Sequence, residues 1–299
     1  MFKKRKVDSK EVGLEIGLIL FKYFLDSEYL HYGLFSEGLP TEVSNLAKAQ
    51  KNYADFLISK IPAEVKSILD VGCGSGKFAQ DLINRGYNID CVSPGTILTE
   101  HARKKLNGKA EIFQKKFEDV ITDKKYDMVM FSESFQYINM DASFTKSLSF
   151  LKPEGHIMIC DFFKTNAEGV CQLGGGHNFK EFQEVVKKYP VKLIEEKDIT
   201  NETAPTIDLV NKLSLEVIMP VYHLLFMLME DRFPLLARFV KWKYKKKLEK
   251  MQKKHFQGER TGKNFKHFKI YQFYLFQIHS EIIQENQVLD DNKVSVEAV

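Results

Sequence analysis

The chain opens with helical periodicity. Apolar residues between Val12 and Tyr23 fall on one helical face, and Asp8 begins a sequence with the spacing of a capping box. A second apolar stripe runs from Leu46 to Ile61, and Ser44 is its expected N-cap. The pattern therefore predicts N-terminal helices over residues 1–62.

From residue 66 the pattern changes to short apolar runs that alternate with amphipathic stretches, which is typical of βαβ units. The runs predicted as strands are 67–71, 88–92, 110–114, 126–131, 156–162, 191–195 and 268–278. Stop signals for the intervening helices are Asn107 with Gly108, and Pro153; Asn178 is the expected cap of the helix before the sixth strand. The prediction is an α/β fold with a doubly wound, seven-stranded, mostly parallel sheet.

Helical, Leu- and Met-rich sequence interrupts the sheet before its last strand. We predict a helical cap over residues 201–265, whose apolar side chains either cover a substrate or form a satellite core. The run Val217–Met229 contains Pro220 and His223 and is shorter than the ~20 residues of a membrane span, so no transmembrane segment is predicted. The core then comprises residues 63–200 and 266–280.

Composition adds few constraints. The 299 residues are 44% hydrophobic with a formal net charge of +4, so a general polyanion binder, and DNA binding in particular, is not expected. The four cysteines are too scattered for a disulfide framework or a metal site, which favours a cytoplasmic location. The tail 281–299 is polar enough to be loose, and the oligomeric state cannot be read from the sequence.

Positive charge is concentrated between Lys241 and Lys254, where lysines alternate with Trp242 and Tyr244. Such a helix resembles an interfacial helix attracted to anionic lipid, so peripheral membrane contact through 241–254 is one interpretation. RNA binding is the second, and an ordinary solvated helix is the third.

The most informative segment is a glycine loop after the first predicted strand. Gly72, Gly74 and Gly76 stand at alternate positions, and Asp70 precedes the first of them by two. Such a loop brings backbone N–H groups close to a ligand at the carboxyl end of the sheet. The spacing is not Gly-x-Gly-x-x-Gly, and no Gly-Lys-Ser/Thr follows, so a pyrophosphate site is disfavoured.

The segment from Leu69 to Gly76 resembles the first motif of class I, Rossmann-like S-adenosylmethionine-dependent methyltransferases. The resemblance extends through Tyr126–Val129 and Leu151–His156. It implies a seven-stranded sheet whose last strand is antiparallel, with S-adenosylmethionine as cofactor. It also implies the cofactor-binding residues, which are Asp70, Gly72, Cys73, Gly74, Gly76, Ser93, Lys116, Phe117 and Ser132.

Two positions depart from the usual pattern of the family. Ser93 stands where most members have an acid for the ribose, and Lys116 stands where an acid near the adenine is usual. Ser93 followed by proline is similar to a subgroup that includes tocopherol, sarcosine and cyclopropane-fatty-acid methyltransferases. The sequence His31-Tyr32-Gly33 and the pair Glu133-Ser134 indicate the same subgroup.

Methyl transfer requires alignment of the acceptor, exclusion of water and, for some acceptors, removal of a proton. The catalytic candidates are Glu133, His177, Tyr137 and Tyr32, because they flank the predicted carboxyl ends of the strands. For Glu133 a helix-capping role is an equal alternative, and for His177 a place before the Asn178 cap is favoured.

The sequence thus predicts methyl transfer to carbon, oxygen or nitrogen of a small-molecule or lipid-like acceptor under a helical cap. An RNA methyltransferase that uses helix 241–254 is the alternative enzyme. A catalytically inactive methyltransferase-like scaffold is the alternative outside enzymes, motivated by Ser93 and Lys116.

Overall fold

A seven-stranded sheet organises the part of the chain that the computed structural model describes, residues 9–255 and 258–279. The order of its strands is β3-β2-β1-β4-β5-β7-β6. Their bounds are β1 Ser67–Val71, β2 Asn88–Val92, β3 Ile112–Phe113, β4 Tyr126–Ser132, β5 Leu151–Lys164, β6 Val191–Asp198 and β7 Lys269–Ile278. β1 to β5 pair in parallel, and β7 lies antiparallel between β5 and β6. The predicted fold class, including the antiparallel last strand, is confirmed.

Helices cover both faces of the sheet and form an N-terminal region and an insertion. Their bounds are α1 Ser9–Leu25, α2 Leu46–Ser59, α3 Lys77–Ile83, α4 Ile97–Leu106, α5 Met140–Phe150, α6 Phe179–Val186, α7 Thr200–Leu213, α8 Met219–Arg232, α9 Pro234–His255 and α10 Gly262–Phe268. A π-helical turn joins α7 to α8, so 200–232 is one continuous helical stretch. The tail 281–299, Asp8 with its predicted capping box, and the side chains of 250–257 lie outside the described residues.

Two helix signals were predicted correctly. Asn107 ends α4 in the left-handed conformation at φ 45°, which its short polar side chain tolerates. Asn178 caps α6, because its Oδ1 accepts a hydrogen bond from the Glu181 amide at 3.1 Å.

Two other signals were wrong. Ser44 lies inside a 3-10 turn, Val43–Asn45, and α2 begins after Asn45 without a side-chain cap. Pro153 does not end α5, which stops at Phe150; it lies within β5, where the pairing with β4 is irregular between Tyr126 and Met128. Proline has no N–H to donate to the neighbouring strand, and the irregular pairing accommodates it because no regular hydrogen bond is formed there.

The insertion corrects a further expectation. Leu209 in α7 joins a small buried cluster with Phe35 and Leu46, but beyond it the apolar side chains of α8 and α9 are largely exposed rather than a satellite core. The helix 200–232 is long and apolar enough to cross a membrane, with a mean hydropathy of 1.5 over its most apolar window and 6% of that window buried. By length and composition this helix is a candidate membrane span, which the run Val217–Met229 taken alone did not indicate.

Candidate functional site

The glycine loop lies between β1 and α3, at the carboxyl end of the sheet. Gly72, Gly74 and Gly76 all have left-handed backbones, with φ of 89°, 55° and 78°. A Cβ on Gly72 would overlap Ser134, whose hydroxyl donates to the Val71 carbonyl, and one on Gly76 would lie 2.9 Å from the Ala102 backbone. Side chains are thus excluded at Gly72 and Gly76 by both conformation and space.

Asp70 is the buried acid at the end of β1. Its side chain is 2% exposed, and its Oδ2 has no hydrogen-bond partner. Burial raises the pKa of Asp70 to about 7. A buried carboxyl oxygen without a partner is unfavourable, so a ligand that offers an ammonium or N–H group there fits the site. S-adenosylmethionine carries such an ammonium group on its amino-acid end.

The remaining predicted cofactor residues fall into two groups. Cys73, Ser93 and Ser132 lie at the carboxyl ends of strands around the loop, and the first two are buried. Lys116 is exposed, whereas the ring of Phe117 is buried against Phe131 and Phe150, in the core. The cofactor-binding roles of all five residues stay predictions. Cys73, Ser93 and Ser132 lie next to the loop, whereas the Phe117 ring is part of the hydrophobic core.

The N-terminal region covers this edge of the sheet. In α1, Glu11 accepts a hydrogen bond from the Ile97 amide at 2.5 Å, at the start of α4. Farther along, Ser75 of the glycine loop donates to the Glu28 carbonyl at 2.5 Å, and a Cβ on Gly74 would lie 3.5 Å from Leu30. Residues 9–33 therefore close the crevice above the loop from outside.

Glu133 is the centre of the polar network on the other side of the loop. Its Oε1 accepts hydrogen bonds from the Tyr32 amide at 2.6 Å and from the Tyr271 hydroxyl at 2.7 Å. The Tyr271 hydroxyl also lies 3.1 Å from that of Tyr53. Glu133 has φ 55°, a conformation that residues other than glycine adopt at a cost and that is often found at functional sites.

The electrostatics of Glu133 favour a proton-exchanging group. Burial raises the pKa of Glu133 to about 8. The hydrogen bonds from Tyr271 and Tyr32 lower this pKa in part, and the charge of Asp161 raises it slightly. A carboxyl with a pKa near neutrality can take up and release a proton under physiological conditions.

Tyr32 joins the Glu133 network, and the other two catalytic candidates lie around it. The Tyr32 ring packs against Phe162, Phe265 and Tyr271, with centroids about 6 Å apart. Tyr137 is 62% exposed at the rim.

His177 holds the loop after β4. Its Nε2–H donates to the carbonyls of Phe135 and Ile138, at 3.0 and 2.8 Å. The ring therefore fixes the segment that follows Glu133, a contact that the position of His177 before the Asn178 cap did not indicate.

Three residues of the network were not singled out from the sequence. Tyr53 lies in α2, Tyr271 in β7, and Arg260 precedes α10, with its charge close enough to act on the Tyr32 phenol. Strand alternation could have placed Tyr271 on the same face as Phe273. No local signal connects Tyr53 to Tyr271 or Arg260 to Tyr32, because the fold alone brings these residues together.

Comparison with known proteins agrees with this geometry. The methyltransferase domain family matches residues 68–155. The ubiquinone biosynthesis O-methyltransferase of Rickettsia conorii is 33% identical over 175 residues, covering 50% of this chain and 61% of that protein. The chain spans about half the length of the curated relatives that it matches first.

Solved structures share the fold over nearly the whole chain. The structure described as a putative sarcosine dimethylglycine methyltransferase from Galdieria sulphuraria superposes with a TM-score of 0.64 at 16% identity. The match covers 91% of this chain and 99% of that one. A geranyl diphosphate C-methyltransferase from Streptomyces coelicolor A3(2), solved with S-adenosyl-L-homocysteine, gives 0.62 at 12% identity, with coverages of 92% and 100%. Residues 68–155 thus match the methyltransferase domain family, and the described chain around them has the fold of these class I methyltransferases.

Proposed function

We propose that the protein transfers a methyl group from S-adenosylmethionine to carbon, oxygen or nitrogen of a small-molecule or lipid-like acceptor. The observation that carries the proposal is the juxtaposition, at the carboxyl end of the sheet, of a glycine-rich loop with the buried acid Asp70 and the proton-exchanging acid Glu133. The loop offers backbone N–H groups to a ligand, and Glu133 offers a base beside it.

Asp70 and the loop would hold the cofactor. The Asp70 carboxylate would accept from the cofactor's ammonium group, which would also lower the pKa of Asp70 again. The cofactor supplies a methyl group activated by a sulfonium. The closed N-terminal cover, residues 9–33, would exclude water from this crevice.

Glu133 would take the proton that an O–H or N–H acceptor loses. The Tyr32 amide and the Tyr271 hydroxyl fix the carboxylate in one orientation. Because its pKa is about 8, the fraction of ionised Glu133 rises as the pH is raised towards and above that value. Turnover of such an acceptor is therefore expected to rise over the same range.

The alternative role for Glu133 is to tie the N-terminal region to β7. Glu133→Gln separates the two roles, since a glutamine oxygen still accepts both hydrogen bonds but cannot act as a base. We expect turnover to fall by roughly 10²–10⁴-fold with little change in S-adenosylmethionine affinity. Unchanged turnover in Glu133→Gln would remove Glu133 from the chemistry.

The acceptor class is argued from the surroundings of Glu133. Tyr32, Phe162, Phe265 and Tyr271 form an aromatic wall beside it, which favours an apolar body with one polar reacting group. The names of two of the proteins compared above mention ubiquinone biosynthesis and geranyl diphosphate. Ubiquinone and geranyl diphosphate are both isoprenoid compounds. We propose an acceptor of this apolar kind and a cytoplasmic enzyme that works at the membrane surface.

Calorimetry with S-adenosylmethionine tests whether the protein binds the cofactor, which methyl transfer requires. Folded protein that fails to bind the cofactor would leave the inactive scaffold as the better explanation. If binding is observed, purified protein and cofactor are added to an extract, and metabolites and lipids that gain one methylene are sought by mass spectrometry. Glu133→Gln is the matched control for products that depend on the enzyme.

A further inference from the structure

The insertion displays an apolar surface that the rest of the chain does not cover. We define the apolar hairpin as residues 217–247, the antiparallel pair of α8 and the first half of α9. Thirteen of its large apolar side chains are exposed, among them Leu224, Leu225, Leu228, Leu235, Leu236 and Phe239. The run Val217–Met229 contains no Asp, Glu, Lys or Arg. Exposed apolar patches of this size mark binding surfaces.

Both ends of the hairpin are fixed to the core. At its base, the Thr206 hydroxyl of α7 accepts a hydrogen bond from the Gly33 amide at 3.0 Å, and Asp208 accepts from the Gly262 amide at 2.8 Å. The chain enters α7 from β6 and returns through α10 to β7, which pair with each other. Both ends of the hairpin therefore attach to the same part of the core, so on a bilayer they would lie on the same side of the membrane.

This attachment excludes a simple membrane crossing by α8. A chain that leaves and returns on one side must cross twice, and the mostly apolar segment at the start of α9, from Phe233 to Val240, has only eight residues, one of which is Arg238. Eight helical residues span ~12 Å, whereas the hydrocarbon core is ~30 Å thick. Glu230, Asp231 and Arg232 at the turn oppose deep insertion of the tip. The hairpin can instead lie along a bilayer surface.

The charge of the hairpin identifies the surface that it fits. Between Phe233 and Glu249 there are six basic residues and one acidic residue. Within this stretch Lys243 lies over the ring of Phe239, Lys247 lies over the ring of Tyr244, and Trp242 is 77% exposed. Exposed aromatics with lysines beside an apolar face are the pattern of helices that bind at the headgroup level of anionic membranes.

A second copy of the chain fits this surface less well. In a two-fold dimer formed through the hairpin, the lysine-rich stretch of one copy would face or approach that of the other. The like charges would oppose association, whereas lipid phosphates and carboxylates would neutralise them.

We propose that the apolar hairpin docks the protein on the surface of an anionic lipid bilayer. Leu224, Leu225, Leu235 and their neighbours enter the boundary between headgroups and acyl chains, and Lys243 to Lys247 contact the lipid phosphates. The benefit to the enzyme rests on the proposed function: α7 bonds the Gly33 segment next to Tyr32, so a docked hairpin holds the acceptor side of the site near the bilayer.

The test measures sedimentation of the full chain with vesicles, without S-adenosylmethionine. One set of vesicles is phosphatidylcholine, and the other contains about one third phosphatidylserine. Trp242 is the single tryptophan of the chain, so a blue shift of its emission reports burial of the hairpin itself. We expect sedimentation and a blue shift with the anionic vesicles, both weakened by salt.

Two variants separate the apolar and charged contributions. Leu225→Ser with Leu235→Ser should weaken binding by roughly tenfold or more, and Lys245→Glu with Lys246→Glu should do so only on anionic vesicles. The matched controls are Ile121→Ser, at an apolar residue elsewhere that is at least as exposed as Leu225 and Leu235, and Lys180→Glu. Circular dichroism verifies that each variant is folded.

Several results would overturn the proposal. They are an absence of vesicle binding by the wild type, equal binding by the hairpin variants and their controls, a dimer in sedimentation velocity that dissociates in Leu225→Ser with Leu235→Ser, or retention of a polyuridine RNA in preference to anionic vesicles. Because no cofactor or acceptor is present, docking without methyl transfer would contradict the proposed function only. Methyl transfer without docking would contradict this inference only.

Discussion

The sheet core and the apolar hairpin contain similar apolar side chains, which are buried in the core and exposed in the hairpin. In the core, strands β1 and β4 place Leu69, Val129 and Phe131 at no measurable exposure. In the hairpin, Leu225 and Leu235 are 64% and 79% exposed. Burial of apolar surface stabilises a fold, so the core residues act within the molecule. The hairpin residues contribute little to folding, and their composition is explained by an external surface.

The largest difference is expected from truncation in the core. Leu69→Ala removes a fully buried side chain from β1 and leaves a cavity in the apolar cluster that packs on that face of the sheet. The free energy of unfolding should fall by about 2–5 kcal/mol. Urea denaturation followed by circular dichroism measures the change. A change below 1 kcal/mol would contradict the assignment of this face to the core.

The glycine loop offers a second, smaller contrast with the surface. Gly72 and Gly86 have nearly equal φ, 89° and 91°, but a Cβ on Gly72 would overlap Ser134, whereas one on Gly86 would meet nothing within 4 Å. Alanine at either position carries a conformational penalty of about 1–2 kcal/mol. Only Gly72→Ala adds a steric clash, so it should lose more stability and S-adenosylmethionine affinity than Gly86→Ala. Equal losses in the two variants would show that the close approach of Ser134 is unimportant.

Buried acids make the stability of the core depend on pH. Burial raises the pKa of Asp70 from 3.8 to about 7. The folded state therefore holds this proton more tightly than the unfolded state, and the stabilisation, complete below pH 3.8, is lost as the pH rises towards 7. Asp161 and Glu133 act in the same direction, with their pKa values raised to about 7 and 8.

Asp70→Asn should consequently reduce the loss of stability between pH 5 and pH 8, by about 2 kcal/mol in cofactor-free protein. Asp127→Asn is the matched control. Burial tends to raise the pKa of Asp127, but Lys152 and the amides of Lys66 and Ser67 lower it to about 2, so this variant should lose similar stability at both pH values. If Asp70→Asn and Asp127→Asn behave alike, Asp70 is not an isolated buried acid.

The smallest effect is expected in the hairpin. Leu225→Ala should change the free energy of unfolding by no more than about 0.5 kcal/mol in solution, since its side chain is largely exposed. The same urea titration applies, now compared with Leu69→Ala. A loss comparable to that of Leu69→Ala would mean that the hairpin is packed against the protein, and the contrast between the two regions would fail.

The fold was predictable because its signals are local. β1 and β2 have the bounds that their apolar runs predict, and Asn107 and Asn178 end and begin helices as their chemistry requires. Ser44 and Pro153 failed because the neighbouring structure, a 3-10 turn and an irregular strand pairing, decides their environment. Propensity is overridden by context in this way wherever tertiary contacts intervene.

The site was predictable only in part. Gly72, Gly74, Gly76 and Asp70 lie in one motif, so the sequence could indicate them together. The Glu133 network unites residues from α2, from the loop after β4 and from β7, separated by as many as 218 positions. Nor does periodicity reveal whether an apolar helix is covered, and the exposure of the hairpin was therefore missed.

The place of β7 in the sheet has a consequence for how the protein is synthesised. β6 pairs with β7 and not with β5, so β6 and the whole helical insertion emerge from the ribosome before their partner strand exists. Until β7 arrives, one edge of β5 stays unpaired, and Glu133 lacks the Tyr271 hydroxyl. Neither the sheet nor the Glu133 network can therefore be complete before residues 269–278 have been synthesised.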